Sequence, residues 1–310
     1  MKEIRNVAIV GMGALGLLFG QQIKKSGYDM YFLMDKERKE RHEKEIYRIN
    51  EKEIPFPIKS REEVTTQPDL MIVATKYGGL DGAMELMEGL VGDDTIVISL
   101  LNGINSEELL AGRFGKVRVP GCIAIGMDAV REGTSLTYQN MGKLQIGALQ
   151  EGQQDLVVRL AAFLEQACIP YEVCADIWRA MWNKFMINVG VNQTCMVYEA
   201  NYGEVVAPGF RYDDMAAAMR EVIAVANAQG IDLEEEDFAK AMEILRGLNP
   251  TGCPSMRQDA AAKRKSEVEL FAGTMVKLGA AYGVKVPVNE KYYRVIREIE
   301  STYEEQRERG

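Results

Sequence analysis

The sequence predicts an α/β protein, an N-terminal Rossmann-like doubly wound sheet followed by a C-terminal all-helical domain. Three observations carry this. Short, β-branched-rich apolar runs alternate with helix-like segments through the first half of the chain. A glycine-rich turn follows the first of those runs. Strand-like runs then cease, and segments of helical periodicity fill the remainder. A chain of 310 residues has room for two cores. The boundary is expected at a strand-to-helix junction, giving a dinucleotide-binding domain over 1–175 and a helical substrate domain over 176–310.

In order along the chain, residues 6–10 form a short apolar run that ends at Gly11, and 15–25 have helical spacing. Residues 28–34 are apolar again. Residues 46–57 read as a small polar hairpin inserted on the edge of the sheet. Residues 70–74 and 95–100 are compact runs preceded by Asp69 and Asp94, as expected of buried parallel strands, with a helix over 80–90 between them. Residues 135–147 alternate as a β excursion. A helix over 156–166 and a strand over 170–173 close the first domain. Helices are then expected over 177–198, 212–229, 233–248, 256–282 and 289–307, separated by Gly230, by Asn249-Pro250, and by Gly283 with Pro287.

Composition narrows the function. Lys plus Arg total 37 against 46 Asp plus Glu, a net charge of −9, so the surface repels phosphate backbones and nucleic acid is not an expected partner. No apolar run of membrane-spanning length occurs, and no membrane association is expected. Lys2 and Arg5 precede an apolar stretch, but its four glycines and the lack of a small-residue cleavage pattern argue against a signal peptide. The five cysteines are dispersed without C-x-x-C spacing, which predicts reduced thiols in a cytoplasmic protein. The one histidine, His42, lies in a charge-rich run and is expected to be solvated. Histidine triads and His-ligated zinc are thereby set aside, and no metal is expected. Proton transfer falls to Lys, Tyr, Asp or Glu.

The run Gly11-Met12-Gly13-Ala14-Leu15-Gly16 between a strand and a helix is G-x-G-x-x-G in the setting its chemistry needs. Gly11 allows the tight turn, Gly13 lets the backbone approach a pyrophosphate, and Gly16 lets the helix pack closely. The pyrophosphate then meets the positive end of that helix. Asp35, at the end of the second strand, stands where a carboxylate accepts from the ribose hydroxyls of NAD and repels the 2′-phosphate of NADP. Lys36 and Arg38 beside it offset that repulsion.

The first helix of the second domain carries Lys184, Asn188 and Asn192 at i, i+4 and i+8. They form one polar stripe on a helix otherwise rich in Trp, Phe, Met and Val. Such a stripe is costly unless it lines a wet cavity or binds something polar. The lysine there keeps a donatable proton.

These motifs, with Thr75-Lys76, Asn102-Gly103, the stretch from Trp182 to Asn192, and Ser255-Met256-Arg257-Gln258-Asp259 followed by Glu267, resemble the ketopantoate reductases (2-dehydropantoate 2-reductases) over nearly the whole chain. The resemblance implies that Lys184 protonates the ketone oxygen as hydride arrives. It implies that Asn102, Asn188, Asn192 and Ser255 bind the substrate, and that Glu267 lies beside the cofactor and orders Lys184. Lys76 and Asn102 join the glycine turn and Asp35 in holding the cofactor. The family habit favours NADP, whereas Asp35 favours NAD. Gln193-Thr194-Cys195-Met196 departs from relatives that place Pro and small residues after the second asparagine. The implied activity is NAD(P)H-dependent reduction of 2-dehydropantoate to pantoate, toward pantothenate. The alternatives are a reductase of another 2-keto or 3-hydroxy acid on the same scaffold, and a non-catalytic nucleotide-binding sensor. The expected partner is a small keto acid, and the oligomeric state stays open, a homodimer included.

Overall fold

The apolar runs of the N-terminal half pair side by side. In a computed structural model, which describes residues 2–308 with side chains through Tyr303, the chain divides into one unit ending at Ile177 and a second starting at Trp178. The first unit contains, in order, β1 (Asn6–Val10), α1 (Ala14–Lys25), β2 (Asp29–Met34), α2 (Lys36–His42), β3 (Arg48–Ile49), β4 (Lys52–Glu53), β5 (Ile58–Ser60), β6 (Leu70–Val73), α3 (Leu80–Met87) and β7 (Ile96–Ser99). It continues with α4 (Ser106–Phe114), β8 (Gly121–Ile125), β9 (Val130–Glu132), β10 (Ser135–Thr137), β11 (Lys143–Gly147), α5 (Gln154–Gln166) and β12 (Tyr171–Val173).

Five of these strands form an all-parallel sheet of order β5-β2-β1-β6-β7. Its faces alternate residue by residue, as a period of two requires. Val7, Ile9, Phe32, Ile72 and Ile98 pack with Leu17 and Leu18 of α1 on one side. Ala8, Val10, Leu33, Met71 and Val73 pack with Leu80, Met84 and Met87 of α3 on the other. Each aliphatic side chain so buried contributes about 1.5–3 kcal/mol over exposure. The order reverses between β1 and β6, so a crevice opens at the C-terminal ends of those two strands, where doubly wound sheets bind ligands.

Residues 46–57 do form a hairpin, turning at Asn50 and Glu51, both with positive φ. It does not extend the edge of the parallel sheet. It joins a separate sheet of order β4-β3-β10-β9, and the edge beside β2 is taken by β5. The excursion at 135–147 is split as well. The Asp128 carboxylate accepts from the N–H groups of Gln139 and Asn140, at 2.9 and 2.8 Å, and turns the chain between two sheets. β10 stays with the hairpin, while β11 enters a third sheet of order β12-β11-β8.

The second unit is helical throughout its described residues: α6 (Ile177–Val197), α7 (Tyr202–Val206), α8 (Phe210–Ala228), α9 (Glu235–Arg246), α10 (Ser255–Ala261), α11 (Thr274–Tyr282) and α12 (Pro287–Glu308). The expected single helix over 256–282 is broken. Lys263 takes a left-handed φ of 50°, and the Arg264 N–H closes the end of α10 on the Asp259 carbonyl at 2.8 Å. A π-helical turn, Glu269–Gly273, then leads into α11. Trp182, Phe185, Met186 and Val189 of α6 are buried, with Trp182 edge-on to Phe185 and Phe185 against Phe271.

Candidate functional site

The glycine turn occupies the crevice that the strand order creates. Gly11 has φ +110°, and a Cβ on it would meet the Ala74 carbonyl oxygen at 2.6 Å. A Cβ on Gly16 would meet the Gly11 carbonyl oxygen at 2.0 Å. Both glycines are therefore demanded by the protein's own packing. Gly13 is different. Its φ of −72° suits any residue, and an added Cβ would make only ordinary contact with Ala74 at 3.5 Å. Packing does not explain Gly13, whereas backbone approach by a ligand does. No side chain caps the start of α1 and no acid lies in its first turn, so its N-terminal N–H groups are left to an anion.

A cleft of about 790 Å³ runs from this turn along the C-terminal ends of β1, β2 and β6. Gly11, Met12, Gly13, Asp35 and Lys76 line it, while Ala14, Leu15 and Gly16 sit behind in the start of α1 and do not. Asn102 lies on the loop after β7, beyond the cleft wall. Five basic side chains (Lys36, Arg38, Arg61, Lys76 and Arg131) face three carboxylates (Asp35, Glu62 and Glu85) along this lining. An acidic chain thus carries a locally basic groove. The Thr75 hydroxyl on the same wall is buried without a hydrogen-bond partner in the protein. Turn, uncapped helix, basic lining and orphaned hydroxyl together fit a dinucleotide.

Two features of this cleft were not legible locally. Arg131, half-buried on β9, donates through Nη1 to the carbonyl of Met12, placing a guanidinium on the glycine turn. It arrives from another sheet, so no spacing near the motif announces it. His42 is only partly exposed, and its Nδ1 lies 2.7 Å from the Glu45 carboxylate and 2.6 Å from the Tyr47 hydroxyl. The hairpin returns Tyr47 to the end of α2. Burial, reinforced by Glu45, holds that hydroxyl above its ordinary range. Asp35 caps α2, with Oδ1 accepting from the Arg38 N–H at 2.8 Å and the Arg38 guanidinium 3.5 Å from Oδ2.

In the second unit, the polar stripe on α6 sinks progressively into the fold. Lys184 and Asn188 are half-buried, and Asn192 is 5% exposed. The Nδ2 of Asn188 is buried with no hydrogen-bond partner in the protein, a donor left for an acceptor that is not protein. Ser255 is exposed at the first position of α10, after the buried Pro254. Glu267 is half-buried just before the π-helical turn.

Comparisons with known proteins agree along the chain. The family model described as Ketopantoate reductase PanE/ApbA matches residues 7–151, and the one described as Ketopantoate reductase PanE/ApbA C terminal matches residues 176–300. The 2-dehydropantoate 2-reductase of Archaeoglobus fulgidus is 27% identical over 303 residues, spanning 96% of this chain and 99% of its own length. That of Streptococcus pyogenes serotype M6 is 25% identical over 298 residues, spanning 94% and 96%. Among solved structures, a ternary complex of D-mandelate dehydrogenase with NADH and anilino(oxo)acetate has a TM-score of 0.86 at 24% identity, spanning 96% of this chain and 99% of its own. That last likeness is one of fold.

Proposed function

The chain belongs to the ketopantoate reductase family, and from that premise we propose that it reduces 2-dehydropantoate to pantoate, a step toward pantothenate. The carrying observation is the buried, unpartnered amide nitrogen of Asn188, one helical turn beyond Lys184. It is a donor placed beside an ammonium, suited to an oxygen-rich small molecule.

In this reading the turn Gly11–Gly16 and the start of α1 hold the cofactor's pyrophosphate, with Arg131 and Lys76 adding positive charge. Asp35 accepts from the adenosine ribose, which favours NADH, and Arg38 beside it lessens the penalty on a 2′-phosphate. The bound nicotinamide supplies the hydride. Lys184 stabilises the negative charge that grows on the ketone oxygen and then protonates it. Asn102, Asn188, Asn192 and Ser255 bind the carboxylate and hydroxyl groups of the substrate, and Glu267 orders Lys184. We assign the reaction to the cytoplasm, in keeping with five free cysteines and with no helix, among the described residues, long and apolar enough to cross a membrane.

The fold also accommodates another 2-hydroxy acid, as the mandelate dehydrogenase illustrates, so the test is comparative. Steady-state rates are measured with 2-dehydropantoate and a panel of 2-keto acids, each with NADH and NADPH in parallel. The expected result is the highest kcat/KM for 2-dehydropantoate, with NADH ahead of NADPH. A higher kcat/KM for another keto acid would replace the substrate, and absence of turnover on every acid would leave only a nucleotide-binding protein.

A further inference from the structure

The π-helical turn Glu269–Gly273 creates a problem that one side chain solves. In an α-helix the Ala272 N–H would donate to the Val268 carbonyl. Here that carbonyl accepts from the Gly273 N–H at 2.9 Å, and Ala272, fully buried, loses its place in the ladder. Gln193 supplies the missing acceptor: its Oε1 takes the Ala272 N–H at 3.0 Å. A backbone N–H can only donate, so the orientation of the Gln193 amide is fixed. Its Nε2 then donates to the Val189 carbonyl at 2.8 Å and to Asn289 Oδ1 at 3.2 Å. Asn289 donates on to Glu221 at 2.7 Å, and Glu221 also accepts from the backbone N–H groups of Val288 and Asn289. Gln193 and Asn289 are both completely buried. The π turn is thus bonded through α6 to α8 and to the start of α12.

Glu267 is the residue from which this turn starts. Its carbonyl accepts from Leu270 and Phe271, at 3.0 and 3.1 Å. Phe271 packs on Phe185, the neighbour of Lys184, with ring centroids 6.2 Å apart. The turn is therefore registered against α6 at two points, Phe185 and Gln193. If the extra residue of the π turn were squeezed out into regular α-helix, the segment before it would rotate by about 100°. Glu267 would be carried with it.

We propose that Gln193 is a positioning residue for Glu267, holding the π-helical turn in the register that aims the Glu267 carboxylate. The inference rests on the reading of Glu267 as the group that orders Lys184.

The test uses the full chain. Gln193→Met keeps the volume and removes the acceptor. In this variant the amides of residues 266–275 exchange with deuterium faster than in the parent, with an unchanged far-UV circular dichroism spectrum. Its kcat for 2-dehydropantoate falls about 10- to 100-fold with little change in KM. In a Glu267→Gln background the same substitution costs nothing further, because the two act as one unit. Additive losses, or faster exchange with kcat unchanged, would overturn the inference. A Glu267→Gln variant with parental kcat overturns instead the reading of Glu267, and that single variant tells the two failures apart. Should Gln193→Met not fold, Gln193→Glu with its carboxyl protonated, which offers an oxygen to Ala272 and an O–H to the Val189 carbonyl, is expected to keep 266–275 protected; rapid exchange there at a pH where that carboxyl is protonated, in an otherwise native protein, would end the proposal.

Discussion

Lys184 sits one helical turn from an amide nitrogen that the protein itself leaves unbonded. In the proposed reaction hydride addition builds charge on the ketone oxygen, and the ammonium would act both as electrostatic partner and as proton donor. Replacing it with alanine removes both roles and leaves the residues of the glycine turn as they are. Lys184→Ala is therefore expected to lose about 10²- to 10⁴-fold in kcat while its NADH affinity, read by fluorescence titration, stays at the parental value. Parental turnover in a purified assay would remove Lys184 from the mechanism, and a parallel loss of NADH binding would show the damage to be general. This side chain was readable because an i, i+4, i+8 polar stripe on an apolar helix is conspicuous in sequence. Arg131 was not. Its contact with Met12 spans 119 positions and depends on how a small sheet is assembled.

At the scale of the element, the three glycines of one turn do separate jobs. Gly16→Ala would drive a methyl into the Gly11 carbonyl, where the added carbon would lie 2.0 Å from oxygen. That costs stability, by about 1–3 kcal/mol or more. Gly13→Ala meets protein only at 3.5 Å, and on the proposed function its methyl would stand in the way of the pyrophosphate. It is expected to melt like the parent yet bind NADH about 10- to 100-fold more weakly, the loss of a few hydrogen bonds to a charged group. Thermal melts paired with NADH titration check both, and a Gly13→Ala variant that binds normally would contradict the placement of the pyrophosphate. The parallel strands were legible because continuous β-branched runs admit little else. The allocation of short strands among three sheets was not, because two- and three-residue strands owe their partners to distant segments such as Asp128 and the Gln139–Asn140 turn. The break after α10 is not legible in the sequence for a similar reason. Helical periodicity persists through 256–282, while the left-handed Lys263 and the π turn answer to contacts that periodicity does not encode.

At the scale of the whole molecule, the proposed function assigns nucleotide holding and proton delivery to different chain segments. Both hydrophobic clusters that sandwich the parallel sheet are drawn from residues within the first unit. Every residue lining the basic cleft lies between Val10 and Arg131. The N-terminal end of that unit is tied in as well. The Asp69 carboxylate accepts from the N–H groups of Arg5 and Asn6 at 3.0 and 3.1 Å, and Lys2 lies 3.1 Å away. Burial alone would raise the Asp69 carboxyl, but these donors outweigh it and hold it below its ordinary range. A fragment of residues 1–177 thus carries its own core on both faces of the sheet and its own cleft. It is expected to unfold cooperatively on heating and to bind NADH with an affinity near that of the full chain. It should show no turnover of 2-dehydropantoate, since Lys184, Asn188 and Asn192 are absent. Because folding leaves the Asp69 pKa below its unfolded value, the stability that Asp69 contributes is present at neutral pH. It is lost as the pH falls through the folded pKa, below the ordinary 3.8. The fragment's melting temperature should then drop less on acidification in an Asp69→Asn variant than in the parent. Calorimetry across that range with parallel NADH titration at neutral pH decides the matter. A fragment that folds but does not bind NADH would mean that the cleft of the first unit is not sufficient to hold the cofactor.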